Sequence, residues 1–308
     1  MENNKLPYIS VIITAYNRRE FLLNAIKSVL SQTLDKKYYE IIVIKNFQDD
    51  IIDNFISENN IKGIISTDNS LGGKLIEALN VATGEIISFL EDDDLFINNK
   101  LEIVYNKFKN NSKLCYYHNN YIPLTEKYNI KNINANGGVD FNLSSISIEK
   151  CIINTNNLKR VSLAIDHFMY FQALESNKKI IKDQRKLTYY MDHMGSAVEL
   201  LTNNFNQFVN CSIFRYKNVL GILCAFKATC FSKRGINYIN VLITDYRLSL
   251  YVYEISGNPN NLLKYFFYLP SVGRFEKIIG YALVRIHKNF RLTLIYRNFR
   301  DFQMYARK

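Results

Sequence analysis

The sequence predicts an α/β protein: a mostly parallel sheet flanked by helices over residues 1–200, then a mainly helical region over 201–308. Two observations predict the first part. Short β-branched runs alternate with stretches of helical period, which is the signature of right-handed βαβ units. The overall make-up, 48% hydrophobic and 22% charged, is that of a chain able to bury a sizeable core. A third observation separates the second part. Residues 201–308 hold 16 Lys+Arg against 4 Asp+Glu, whereas residues 1–200 hold the other 23 against the other 24. The excess of +11 therefore belongs to the C-terminal third, and such asymmetry points to an anionic partner.

Taken in order, Tyr8–Thr14 is a short apolar, β-branched run suited to a central strand. A helix follows from Arg18 to about Leu30, with Asn17 as its cap and Glu20 closing an N-x-x-E box. Strands at Glu40–Ile44 and Gly63–Ser66 precede helices over Ile51–Glu58 and Leu71–Ala82, the latter stopped by Thr83-Gly84. A fourth strand, Glu85–Leu90, runs straight into Glu91-Asp92-Asp93-Asp94, and a helix spans about Asn98–Asn110. Lys113–His118 reads as a strand, and the Asn-rich stretch 119–145 with Gly137-Gly138 as a long loop. Ser147–Ile153 reads as a strand, Asp166–Ser176 as a helix and Leu187–Met191 as a last strand; from about Ala197 the text is helical, aromatic and basic.

The composition also sets exclusions. No run reaches the roughly 18 apolar residues of a membrane span, and the first residues lack the apolar heart of a secretion signal. The five cysteines, Cys115, Cys151, Cys211, Cys224 and Cys230, form no C-x-x-C pair. They read as reduced, mostly buried thiols of a cytoplasmic protein, with no zinc site.

Four adjacent carboxylates at a strand end repel one another, so their folding together calls for a compensating cation. Mg²⁺ or Mn²⁺ with oxygen ligands suits them, at the sheet edge where ligands of open α/β folds sit. The plainer reading is a solvated acidic turn. The first strand-to-helix turn, Thr14-Ala15-Tyr16-Asn17-Arg18-Arg19, is either a nucleotide seat with Tyr16 against base or ribose, or an ordinary capped turn. In Asn69-Ser70-Leu71-Gly72-Gly73-Lys74, the glycines permit close ligand approach and Lys74 offers a cation. Asp166 either caps its helix or acts as a base, and His193 is either structural or within reach of a phosphate or metal.

In this order and spacing the pieces resemble the GT-A fold and glycosyltransferase family 2. "ISVIITAYNRREFLLNAIKSVLSQT" is similar to that family's first βα unit, and "DNSLGGKLIEALNVATGEIISFLEDDDLFINNKLE" to its stretch into the D-x-D metal motif. "IDHFMYFQALESNKKI" resembles the helix carrying the general base, and "LTYYMDHMGSA" the segment that closes the catalytic domain; the likeness covers about residues 7–197. It implies a donor seat at Thr14, Ala15, Tyr16 and Arg18, helped by Gly73, Lys74, Asp92 and His193. The D-x-D acids fall on Glu91 and Asp93 or on Asp92 and Asp94, which implies a metal held by Glu91, Asp93 and Asp94, with Asp93 and Asp94 nearest, and a base at Asp166. Two positions depart from the pattern. Lys45-Asn46-Phe47-Gln48 stands where the family has Asp-Asp-Gly-Ser, and Ile165 replaces the acid before the base. The resemblance thus brings no uracil-reading carboxylate to this chain.

The function so implied is metal-dependent, inverting transfer of a sugar from a nucleotide-diphospho-sugar to an acceptor hydroxyl. The alternatives are a non-catalytic sugar-nucleotide-binding protein and a nucleotidyltransferase on a similar sheet, although Thr14–Arg19 lacks the glycine-rich loop the latter needs. Within 273–308, Phe275, Ile278, Ile279, Ala282, Leu283, Ile286 and Phe290 recur at helical spacing, flanked by Arg274, Lys277, Arg285, Lys288, Arg291, Arg297 and Arg300. Such a helix either lies in a membrane surface or packs on protein, its own domain or a second copy. The expected partners are therefore the donor, a glycan or lipid-linked acceptor, and the inner membrane face, with no nucleic acid.

Overall fold

The computed structural model describes residues 8–68, 70–125, 142–192 and 204–253, and the chain divides into two units, Met1–Asp192 and His193–Lys308. The first unit runs β1 (Ile9–Ala15), α1 (Leu22–Leu30), β2 (Tyr39–Lys45), α2 (Asp50–Glu58), β3 (Lys62–Ile65), α3 (Leu71–Val81) and β4 (Ile86–Glu91). It continues through β5 (Leu95–Phe96), α4 (Lys100–Lys109), β6 (Leu114–Thr125), β7 (Ile146–Glu149), α5 (Thr155–Leu158), α6 (Ile165–Glu175) and β8 (Lys179–Asp192).

The strands form one sheet in the order β3-β2-β1-β4-β7-β6-β8-β5. The first four strands in that order are parallel; β7 reverses direction, and β6 and β8 run parallel to each other beyond it. β1 lies inside the sheet and is buried along its whole length, which is why its sequence is an unbroken apolar run rather than an alternating one. Leu22, Ala25, Ile26 and Val29 of α1 join Val11, Ile13, Val43 and Leu90 in one core cluster with Leu101 and Val104 of α4. Each such side chain contributes about 1.5–3 kcal/mol through burial. Asp49 caps α2 by accepting from Ile52 N, and Ser70 caps α3 by accepting from Gly73 N.

Three expectations are corrected. Asn17 does not cap α1: the helix begins at Leu22 after Phe21, without a side-chain cap. Asn17 instead adopts φ 58° and exchanges two hydrogen bonds with Asn46, its N–H donating to Asn46 Oδ1 and its Oδ1 accepting from Asn46 Nδ2. The long loop is shorter than read. β6 carries on through Asn119 and Asn120 to Thr125, residues 126–141 lie outside the described residues, and Leu143–Ser145 is a 3-10 turn. The asparagines are poor strand formers in isolation, but Asn119 Nδ2 donates to Thr188 Oγ1 on β8, and Tyr121 packs on Tyr190. Cross-strand contact overrides propensity here. β8 likewise starts at Lys179 rather than Leu187. Between the pairs His118–Lys182 and Asn120–Lys186 its polar Asp183-Gln184-Arg185 is bulged out, and the Tyr117 hydroxyl donates to Asp183.

None of the five cysteines is in a disulfide, yet only Cys115 is buried; Cys151 and Cys224 are exposed, and Cys211 and Cys230 are half-buried. In the second unit, α7 (Phe205–Ala228) and α8 (Lys233–Tyr253) pack side by side, burying Val219, Leu223, Phe226, Ile239 and Ile243. Tyr216 meets Tyr246 and Tyr253 edge-on. Among the described residues no helix is long and apolar enough to cross a membrane. The basic amphipathic stretch 273–308 lies outside the described residues.

Candidate active site

β1 and β4 are neighbours with Thr14 opposite Glu91, so the turn after β1 and the acidic run leave the sheet side by side. Asp92 N donates to Thr14 O, fixing that junction. The acids do not point into water: Asp92, Asp93 and Asp94 are 1%, 9% and 1% exposed, and Glu91 is half-buried. Their surroundings differ. Arg18 reaches across from the β1 turn, with Nη2 and Nε on the two oxygens of Asp92 and Nη1 2.6 Å from Asp93 Oδ2. Tyr16 N also faces Asp92, at 3.4 Å from Oδ2. Asp94 turns the other way, accepting from Met191 N on β8 at 2.8 Å, and its buried Oδ2 has no hydrogen bond of normal geometry. Lys100, fully buried at the start of α4, donates to Ser144 O and Thr188 Oγ1. Ser144 Oγ in turn accepts from Glu91 N.

The charges are partly compensated from within the chain, by Arg18 on Asp92 and Asp93 and by Lys100 near Asp94, although burial lowers the Lys100 pKa well below its usual value; this corrects the premise that only a bound ion lets the run fold. The compensation is incomplete. Burial, then the neighbouring acids Asp93, Asp94, Asp166 and Asp92, hold the Glu91 carboxyl well above the usual range. Burial outweighs Arg18 and pushes Asp92 up to about 7; burial and the charge of Asp93 push Asp94 up to about 8.

Asp166 belongs to the same site, because its charge is among those felt by Glu91. It stands half-buried in the first turn of α6, just after Ala164 at φ 59°, and its Oδ1 accepts from His167 N. Ile165, at the place of the missing second acid, is packed into the core. Tyr16 is half exposed, and the buried Lys74 ammonium lies 3.9 Å from the centre of its ring. The Lys74 ammonium makes no hydrogen bond or ion pair among the described residues, and burial lowers its pKa. Thr14 and Ala15 are buried at the strand end beneath Tyr16.

Gly73 does not open space for a ligand. A methyl there would stand 2.0 Å from Asp68 Oδ2, and one on Gly72 would stand 2.1 Å from Leu158 O. The pair serves close packing of α3 against Asp68 and the segment after α5. His193 lies outside the described residues. Sequence reasoning missed Ser144 and Lys100; the one legible signal was that Lys100 keeps step with Val104 and Phe108 on the buried face of α4.

The family model described as "Glycosyl transferase family 2" matches residues 10–172, more than half of the chain. The chain belongs to glycosyltransferase family 2. Among its relatives, an Escherichia coli protein named UDP-Glc:alpha-D-GlcNAc-diphosphoundecaprenol beta-1,3-glucosyltransferase WfaP is 25% identical over 248 residues, covering 75% of this chain and 94% of WfaP. An uncharacterized glycosyltransferase of Rickettsia conorii is 34% identical over 123 residues, 39% of this chain and only 20% of that protein. This chain thus spans a fifth of that longer relative. The crystal structure of residues 1–349 of Staphylococcus aureus TarS matches with a TM-score of 0.56 at 12% identity, covering 85% of this chain and 79% of that one; TarS has also been crystallised with UDP-GlcNAc. That likeness establishes the GT-A fold.

The first of the two departures from the family 2 pattern also has its place in the fold. Lys45 is buried at the tip of β2 and pairs with Asp53 at 2.8 Å, while Asn46 carries the amide pair with Asn17. Among the described residues, no three His, Cys, Asp or Glu side chains converge on one point able to hold a metal. The donor set fits Mg²⁺ or Mn²⁺ in the mode that uses one or two carboxylates, with diphosphate oxygens and water completing the shell. It does not fit an all-protein cage.

Proposed function

We propose that this chain transfers a sugar from a nucleotide-diphospho-sugar to an acceptor hydroxyl with inversion, with a divalent metal at the acidic run. The observation that carries the proposal is the gathering, at one sheet edge, of an incompletely compensated acidic run, the cations Arg18 and Lys74, and Asp166. Mg²⁺ or Mn²⁺, when bound through Asp93 with Glu91 or Asp94, would neutralise charge on the departing diphosphate. Arg18 and Lys74 add positive charge beside that diphosphate, and Tyr16 offers an exposed ring face to the nucleoside. Asp166 accepts the proton of the acceptor hydroxyl while its oxygen bonds to the anomeric carbon; the bond from that carbon to the diphosphate oxygen breaks on the opposite face, so the configuration inverts.

The test is Asp166→Asn. Transfer should fall about 10²- to 10⁴-fold, while calorimetric titration with UDP and GDP in Mn²⁺ shows unchanged donor-side binding. Unchanged transfer would remove Asp166 as the base. Transfer absent in the native protein, with donor binding intact, would favour a non-catalytic sugar-nucleotide-binding protein.

A lipid-linked acceptor is part of the proposal, supported by the acceptor in the name of WfaP and by the basic C-terminal third. Removing residues 273–308 should reduce co-sedimentation with anionic lipid vesicles. Undiminished binding would assign membrane contact elsewhere.

A further inference from the structure

Arg18 holds the acidic run in an unusual way. Its guanidinium bridges two consecutive acids, occupying both oxygens of Asp92 and one of Asp93. The guanidinium side chain is only 25% exposed, and the two carboxylates are 0% and 11% exposed. A planar fork pre-organised on buried carboxylates gives charge-assisted bonds of the strong kind. It also engages Oδ2 of Asp93, the carboxylate through which the metal is proposed to bind.

We propose that Arg18 is an internal stand-in for the metal: it closes the acidic run in the donor-free protein, and metal and diphosphate displace it together. The inference rests on the metal-dependent reading above and adds an order to it. A divalent ion arriving alone must expel a guanidinium that has no new anion to receive it, and it meets a like charge at the same oxygens. A diphosphate arriving with the ion supplies that anion. Arg18 then exchanges Asp92 and Asp93 for phosphate oxygens, which frees Asp93 Oδ2 for the metal. Metal and nucleoside diphosphate therefore bind with strong positive coupling, and the coupling is reciprocal. The chain thereby avoids filling its site with free cation when no donor is present.

The experiment is Mn²⁺ binding followed by electron paramagnetic resonance of the free ion, with and without saturating UDP or GDP. In the native protein Mn²⁺ alone should bind weakly, and nucleoside diphosphate should tighten it at least about 10-fold, within the usual range of such coupling. In Arg18→Gln, Mn²⁺ alone should bind about 10-fold tighter than in the native protein, and the coupling should shrink. Arg18→Lys keeps the charge but cannot fork across two carboxylates, so it should fall between; it also supplies the reading if the glutamine variant does not fold. If nucleotide brings Mn²⁺ to the native protein but neither variant binds Mn²⁺ alone any tighter, the stand-in role is overturned and the metal-dependent function survives. If the native protein takes no Mn²⁺ under either condition, both fall.

Discussion

Acidification should weaken the fold through one buried ring. His118 on β6 is 1% exposed, lies face to face with Tyr116, and feels the positive charges of Lys100 and Lys182. Burial first, then those two lysines, lower its pKa from 6.5 to about 3. The native ring stays neutral where the unfolded ring takes a proton, so stability is lost as pH falls from 6.5 towards 3. Between pH 7 and pH 5 the loss from this residue comes to about 2 kcal/mol, using 1.36 kcal/mol per pH unit. Asp92 and Asp94 act in the opposite sense. Their native pKa values are raised to about 7 and about 8, so the native state takes up protons first and gains stability over the same interval. The raw pH dependence is therefore a mixture, and the clean quantity is a difference of differences. Urea unfolding followed by circular dichroism at both pH values should be compared between the native chain and His118→Phe, which keeps a flat ring against Tyr116. The variant should be spared about 2 kcal/mol of acid destabilisation. Equal pH dependence in the two proteins, within about 0.5 kcal/mol, would refute the assignment of a neutral buried imidazole.

Two other outcomes are expected. Gly72→Ala should destabilise despite the helix preference for alanine, because its methyl meets the backbone oxygens of Leu158 at 2.1 Å and Val161 at 2.6 Å. A net loss of about 1–3 kcal/mol in urea unfolding is expected, and a more stable variant would show that the contact relaxes freely. Lys74→Met should keep the apolar packing under Tyr16 yet weaken UDP or GDP binding roughly 10- to 100-fold, the size of one charge-assisted bond; unchanged calorimetric affinity would exclude Lys74 from the diphosphate.

The inner parallel strands β1, β2 and β4 were open to sequence reasoning because they are covered on both faces. Burial leaves a short, mostly apolar run in β1, β2 and β4, and a run of that kind marks a strand with no solvent face. The antiparallel part was not, since Asn119 and Asp183 are held by partners distant along the chain, Thr188 and Tyr117. The acids of the site were visible as a run of like charges, but their partners were not. The family resemblance marked Arg18 for the donor seat, but its pairing with Asp92, 74 residues away along the chain, has no local signal. The same holds for Asn17, whose side chain reads as a cap until Asn46 is brought alongside.

The seam at Gly72 has a mechanical consequence. Gly72 N donates to Val161 O at 3.0 Å, so α3 touches the strand of chain leading into α6 main chain to main chain. Lys74 lies two positions beyond one side of that seam and Asp166 five beyond the other. A joint made of two backbones has no side chain to compress or rotate, so it works as a rigid spacer. The distance between Lys74 and Asp166, the cation and the carboxylate of the proposed transfer, is gauged by the absence of a methyl group.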